Sequence, residues 1–306
     1  MAKRAGTRKA QRDLDAKALK VFETVARCES MKRAAAELHT VQSNVTARIR
    51  QLEQELGVAL FERRPNGMKL TPAGTRLLPH AFEVRAALTS AKRAIEDIGI
   101  PSGPLTIGSR KTTSALHLTG ILKSYIKAHP AVDVRIRTET SPLLIQQVLE
   151  RRIEGALVCD PIKHPELVSE TILDEELVIF TALDVTSLDD VPRDTRLFVL
   201  GQGSLYEQQL KQVLSREGFA TNRVIELGTF ENIIGCVGAG LGVTLFPRAV
   251  IDLAAAHGLI RPHPVPGGEC RVQTLFVRRH DGFVSSALAA FLDCARSYAR
   301  NLNVAA

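Results

Sequence analysis

Leu19, Phe22, Val25 and Ala26 fall at i, i+3, i+6 and i+7, on one face of a helix that Cys28-Glu29-Ser30 closes. Ala34, Ala35 and Leu38 give a second, shorter apolar face, and His39-Thr40 makes the turn after it. Val41, Val45, Ile49, Leu52 and Leu56 form a third stripe at helical spacing, which Gly57 ends as a residue just past a helix C-terminus does. Two helices joined by a tight turn are the helix-turn-helix pattern.

The same period defines the opposite face of the third helix, which carries Gln42, Ser43, Thr46, Ala47 and Arg50, with Asn44 and Arg48 beside them. Gln and Asn can pair two-pronged with adenine edges, Ser and Thr can meet several bases, and Arg can pair with guanine or phosphate. Residues at the start of such a helix reach base edges, so Gln42, Ser43 and Asn44 are well placed. Ser43 and Asn44 are also good helix caps, and both roles stay open. Asn66-Gly67, between Leu60-Phe61 and Met68-Leu70, signals a hairpin, a wing whose Arg63, Arg64 and Lys69 can meet phosphates. Thr71-Pro72 then starts a helix carrying Leu77, Ala81, Val84, Leu88, Ala91, Ile95 and Ile98 in alternating steps of four and three. That stripe reads as a coiled-coil seam or as packing against the chain's own body; its narrowness favours a dimer seam. Pro79 is expected to kink or interrupt this helix.

From Pro101 the pattern changes to short β-branched runs alternating with helical segments. Strands are expected at 105–109, 132–137, 155–159, 177–181, 197–200, 224–227, 243–246 and 272–277. Helices are expected near 116–128, 143–151, 206–217, 230–237, 249–257 and 284–302. This alternation predicts a parallel sheet covered by helices, arranged as two α/β lobes with a cleft between them.

Charge sharpens the division. Residues 1–98 hold 19 Lys and Arg against 11 Asp and Glu, and residues 99–306 hold 21 against 22, so the net +7 comes from the first third. Such a basic excess favours a polyanion, nucleic acid before membrane, because no wide apolar face accompanies it. No apolar run follows the basic first twelve residues that could act as a secretory signal or membrane span, so a cytoplasmic location is expected. Five widely spaced cysteines show neither a disulfide framework nor zinc spacing.

Ala35-Ala36, Leu38, Gln42-Ser43, Val45, Ile49, Leu52-Glu53, Leu56-Gly57, Leu60-Phe61, Arg63, Leu70-Thr71 and Ala73-Gly74 together resemble the LysR-type transcriptional regulators. The resemblance implies an α plus α/β fold: a winged helix-turn-helix (14–70), a linker and dimerisation helix (71–100) and a two-lobed effector domain (101–306) resembling periplasmic binding proteins, while the basic tail (1–13) extends beyond the family's usual start. The first lobe is expected at about 101–162 and 266–306, the second at about 163–265. DNA contacts are implied at Gln42, Ser43, Asn44 and Thr46, while Ala47 stands where many members have Arg. The same resemblance places an inducer site at Ser109, Ser141, Ser204 and Phe230, although Ser204-Leu205-Tyr206 departs from the Cys-Ser-Tyr of related sequences.

Residue chemistry points to the same loops. The first strand runs into "GSRKTTS", where Ser109, Thr112 and Thr113 offer hydroxyls and Arg110 and Lys111 offer positive charge at a helix start. Those charges suggest an anionic effector. No catalytic constellation is visible: the glycines of "GCVGAGLG" (235–242) do not spell a dinucleotide fingerprint, and no phosphate loop, nucleophile elbow or His-Glu-x-x-His pair occurs. The expected protein is a sequence-specific regulator with no cofactor. Its expected partners are an interrupted dyad of double-stranded DNA, a small molecule, further copies of itself as dimer or tetramer, and RNA polymerase. The competing readings are an architectural DNA binder and a redox sensor using Cys159 or Cys236, which would need an accessible, low-pKa thiol.

Overall fold

A computed structural model describes residues 14–64, 67–159, 162–255, 258–268 and 270–305. They fall in two compact units, one ending at Ile98 and the other beginning at Gly99. The expected basic tail and residues 65–66 of the wing turn lie outside the described residues.

The first unit contains α1 (Ala16–Cys28), α2 (Met31–Glu37), α3 (Gln42–Leu56), β1 (Phe61–Arg64), β2 (Gly67–Leu70) and α4 (Pro72–Glu96). Asp15 caps α1 by accepting from the Lys17 amide at 3.0 Å, and Ser30 caps α2 by accepting from the Arg33 amide at 3.3 Å. Left-handed residues set the chain direction on both sides of α2, Glu29 at φ 51° and His39 at φ 50°, and Gly57 at φ 70° ends α3. Phe22, Val25, Ala34, Val45, Ile49, Leu52, Leu60 and Ala81 close one core. The third stripe is shorter than expected: Val41 precedes the helix as its N-cap residue and is 60% exposed. Gly74 permits α4 to lie against the wing, since a Cβ there would come within 2.3 Å of the Leu60 carbonyl oxygen.

Helix α4 runs through Pro79 without the expected interruption. Leu77 and Leu78 before the proline and Ala81 after it are packed on the core, which holds the helix on both sides of the missing hydrogen bond. The seam divides after Val84. Leu77, Ala81 and Val84 join the core, whereas Leu88, Ile95 and Ile98 are 57%, 83% and 77% exposed.

The second unit begins with β3 (Gly103–Ser109) and a continuous helical run of α5 (Lys111–Thr113), a π turn (Ser114–Leu118) and α6 (Thr119–Ala128). It continues through β4 (Val132–Thr138), α7 (Ser141–Leu149), β5 (Gly155–Val158), β6 (Leu167–Ala182), β7 (Leu197–Val199) and α8 (Leu205–Arg216). Then follow β8 (Val224–Glu226), α9 (Phe230–Gly238), β9 (Thr244–Pro247), α10 (Val250–Ala255), β10 (Ile260–Pro264), β11 (Arg271–Arg279) and α11 (Ser286–Ala305).

The sheet is mixed: the expected parallel pairing holds for the unit's first three strands and not for the sheet's later strands. β3 pairs parallel with β4 and β5, but β11 runs antiparallel to β5 and β6, and β6 runs antiparallel to β9 and β10. The expected strand 177–181 is the end of the sixteen-residue β6. Its first part carries Glu170, Asp174, Glu175 and Glu176 and among the described residues pairs only with β11, so it is a charged edge strand without an apolar run to reveal it. β10, an edge strand containing Pro262 and Pro264, was also absent from the expected set.

β6 changes partners where it passes between lobes: Glu176 is the last residue to face β11, and Leu177 the first to face β9. By strand pairing the first lobe therefore extends past residue 163 to Glu176. In that lobe Leu105 and Ile107 pack with Ile121, Tyr125 and Phe291 on one face. Gly108 meets Leu144 and Ile153 on the other face, so helices cover both sides. Phe180, Phe198, Tyr206, Phe230 and Phe246 centre the second lobe. Among the described residues no helix is long and apolar enough to cross a membrane.

Candidate functional site

The start of α3 is an open helix end. Its N-cap residue, Val41, has no polar side chain and makes no capping bond. Gln42, Ser43 and Asn44 are exposed and lie inside the helix, so Ser43 and Asn44 do not cap it. Asn44 instead donates from Nδ2 to Thr40 Oγ1 at 3.1 Å, and Thr46 Oγ1 donates to the Gln42 carbonyl at 2.9 Å. A helix N-terminus whose amide groups lack a side-chain cap, bordered by exposed Gln, Ser and Asn, suits both phosphate and base edges.

Arg50 is exposed and has no ion-pair partner among the described residues, but Arg48 pairs with Asp15 at 3.2 Å. The expected DNA role of Arg48 therefore competes with a tie to the cap of α1. In the wing, Arg64 faces Gly67 across the hairpin and pairs with Glu62 at 3.2 Å; Arg63 and Lys69 are exposed. Glu53, on α3, fixes the wing by accepting from the Leu60 amide at 2.8 Å and the Phe61 amide at 3.3 Å. Sequence reasoning matched Glu53 but missed this role, because its partners are backbone groups seven and eight residues away.

In the second unit the sequence-predicted effector residues divide. Ser109 is fully buried at the end of β3, Thr112 is buried, Lys111 is exposed, and Arg110 is the N-cap residue of α5. The Glu139 amide donates to the Ser109 carbonyl at 3.3 Å, which brings the turn before α7 beside the end of β3. Ser141, the first residue of α7, is buried, and its Oγ has no hydrogen-bond partner among the described residues. Ser204 caps α8, its Oγ accepting from the Glu207 amide at 3.3 Å. Phe230, the first residue of α9, packs in the second lobe's core with its ring 4.9 Å from that of Phe246.

Two features escaped the sequence. Tyr206 lies under Arg110, whose guanidinium carbon sits 5.1 Å from the ring centroid. The acid run of β6 is individually paired: Asp174 with Arg271 at 2.9 Å, Glu176 with Arg248 at 2.6 Å, and Glu175 with the buried His117 at 2.8 Å. His117 is in the π turn and also lies 3.3 Å from the Tyr298 hydroxyl on α11. Arg248 holds the Glu176 carboxyl below its usual range, and burial pushes the Tyr206 phenol well above its own. Only the run of three acids hinted at this crossing, and nothing local named its partners. Cys159 is buried, 3.4 Å from Thr274 Oγ1 and 4.0 Å from Thr113 Oγ1, unlike an accessible redox thiol.

A winged helix-turn-helix with an open recognition-helix start, followed by two α/β lobes with polar strand ends, defines a ligand-responsive regulator class. Residues 16–75 match the bacterial regulatory helix-turn-helix protein, lysR family, and residues 99–300 match the LysR substrate binding domain. The chain belongs to the LysR family: it is a DNA-binding transcription regulator with an effector-binding domain, and not an enzyme.

It is 40% identical over 283 residues to the HTH-type transcriptional regulator GltR of Bacillus subtilis, covering 92% of this chain and 95% of that one. YusT of the same organism, an uncharacterized HTH-type transcriptional regulator, is 40% identical over 275 residues, 90% and 93% of the two chains. A full-length OxyR variant from Pseudomonas aeruginosa shares the fold with a TM-score of 0.74 at 20% identity, covering 94% and 97%. CbnR, solved as a complex with its target DNA, matches with a TM-score of 0.53 at 23% identity, covering 94% and 100%.

Proposed function

We propose that this regulator is cytoplasmic and reads an interrupted dyad in double-stranded DNA. Gln42, Ser43, Asn44 and Thr46 of each copy enter the major groove, and Arg48, Arg50, Arg63 and Arg64 lie on phosphates. The observation that carries this reading is the exposed, uncapped start of α3. The solved complex of CbnR with its target DNA supports the same use of a shared fold.

Two copies join through the exposed half of α4 and the residues just after it, where Leu88, Ile95 and Ile98 are left uncovered within one chain. A small anionic molecule binds at Ser109, Arg110, Lys111, Thr112, Ser141 and Ser204, and shifts the lobes to change contact with RNA polymerase. It does so only by binding one arrangement more tightly than another.

Selection of bound duplexes from a random library by the full-length protein tests the reading. Enrichment of two half-sites related by a dyad is the expected result. Tight, salt-sensitive binding with no enriched sequence would replace it with a general architectural binder.

A further inference from the structure

Glu53 lies on α3, about 15 Å along the helix axis from Ser43. One oxygen of its carboxylate accepts from the Leu60 amide at 2.8 Å and the Phe61 amide at 3.3 Å, where the chain enters β1. Bonds from backbone amides to a carboxylate are charge-assisted, and two on one oxygen hold the strand in direction as well as distance. The exit of the wing is closed onto its entry: the Thr71 hydroxyl donates to the Ala59 carbonyl at 2.8 Å, and the Thr71 amide to the Leu60 carbonyl at 3.0 Å. The far end of the wing rests elsewhere. There the Met68 amide donates at 2.8 Å to the carbonyl of Glu29, in the turn between α1 and α2. Among the described residues, Glu53 thus supplies the polar tie between the wing and the helix that carries Gln42, Ser43 and Asn44. Arg63 and Lys69 stand exposed on the two strands so held.

We propose that Glu53 is the positioning residue of the wing: its carboxylate ties β1 to the recognition helix, so that Arg63 meets phosphate at the height and angle at which the start of α3 meets base edges. The inference rests on the DNA reading given above for the role of Arg63, and adds to it the group that makes helix and wing one body. Glu53 acts through Arg63 and touches no DNA itself.

Equilibrium binding of the full-length protein to double-stranded DNA of mixed sequence, across a salt series, is the test. Removing an acid from a DNA-binding unit changes affinity by charge alone. Glu53→Ala is therefore compared with Glu53→Gln, which is equally neutral and whose side-chain carbonyl can accept from both amides. Glu53→Gln is expected to keep the salt slope, whereas Glu53→Ala is expected to lower it by as much as Arg63→Ala does, about one unit. Adding Arg63→Ala is expected to lower the slope of Glu53→Gln by about one unit and that of Glu53→Ala no further, because there the contact is already lost. Glu53→Asp keeps the charge on a shorter side chain; set against the wild type, it is expected to behave as Glu53→Ala does, and it decides the matter if the alanine variant does not fold. Equal slopes for the two neutral variants, with Arg63→Ala acting equally on both, would overturn the proposal and leave Glu53 a stabilising residue of a wing that the Glu29 contact places. An Arg63→Ala change that leaves the wild-type slope unaltered would instead remove the phosphate role of Arg63, and with it anything for Glu53 to position.

Discussion

The start of α3 and the strand ends of the first lobe are both polar, but they are polar in opposite ways. Gln42, Ser43 and Asn44 stand in solvent and support little of the fold. Ser109, Thr112, Ser141 and His117 are buried, and His117 is bonded to Glu175 of the strand that passes between lobes. A surface that reads a large partner must be exposed before the partner arrives, whereas a site that encloses a small ligand shares its side chains with the core. Function and stability should therefore separate in the first region and be coupled in the second.

The largest expected effect follows from that coupling. His117→Ala strips Glu175 of its partner in a nearly enclosed position and takes the ring away from Tyr298. Leaving a buried carboxyl without its hydrogen-bond partner costs about 1–3 kcal/mol, and the vacated ring position adds a cavity cost. Calorimetric unfolding of the full chain should show the loss in residues 99–306. A loss below about 1 kcal/mol, the range of an exposed pair, would mean that water screens Glu175 and that the contrast between the regions is weaker than stated.

Gln42→Ala tests the opposite side. It should leave the unfolding temperature unchanged and cost about 1–3 kcal/mol at selected sites if Gln42 reads a base with two hydrogen bonds. Unchanged discrimination between bases would remove Gln42 from the reading set. Arg63→Ala is a smaller change of another kind: all duplexes should weaken alike, with the salt slope falling by about one unit. Sequence-dependent loss would show instead that the wing reads bases or groove shape.

The same contrast explains what the sequence revealed. Stripes such as Leu19-Phe22-Val25 and Val45-Ile49-Leu52 report local helices, and exposed residues between them can be read directly as a face. The strand ends of the first lobe were also visible, because Ser and Thr after a β-branched run mark a helix start. The packing of Phe230 in its own lobe's core was not legible, because position at a strand end does not tell which way a side chain turns. Tyr206 and the His117–Glu175 pair depend on contacts across long sequence separations, 58 residues in the latter case. The first part of β6 was hidden because an edge strand is free to carry the acids that disguise it.

Arg48 offers the finest test, since it sits between the two kinds of region: an exposed residue with a structural partner. Asp15 both caps α1 and holds Arg48. Asp15→Asn keeps an equally good cap and removes the charge, so stability should change by no more than about 1 kcal/mol, the upper range of an exposed pair. If Arg48 reaches phosphate, freeing it should tighten binding to all duplexes slightly, whereas Arg48→Ala should weaken it; equilibrium binding across a salt series measures both. Opposite signs would place Arg48 on the DNA face, its tie to Asp15 broken at the cost of one weak ion pair. Equal, near-zero changes would assign Arg48 to holding α3 against the start of α1, and the DNA face would then rest on the residues that have no such partner.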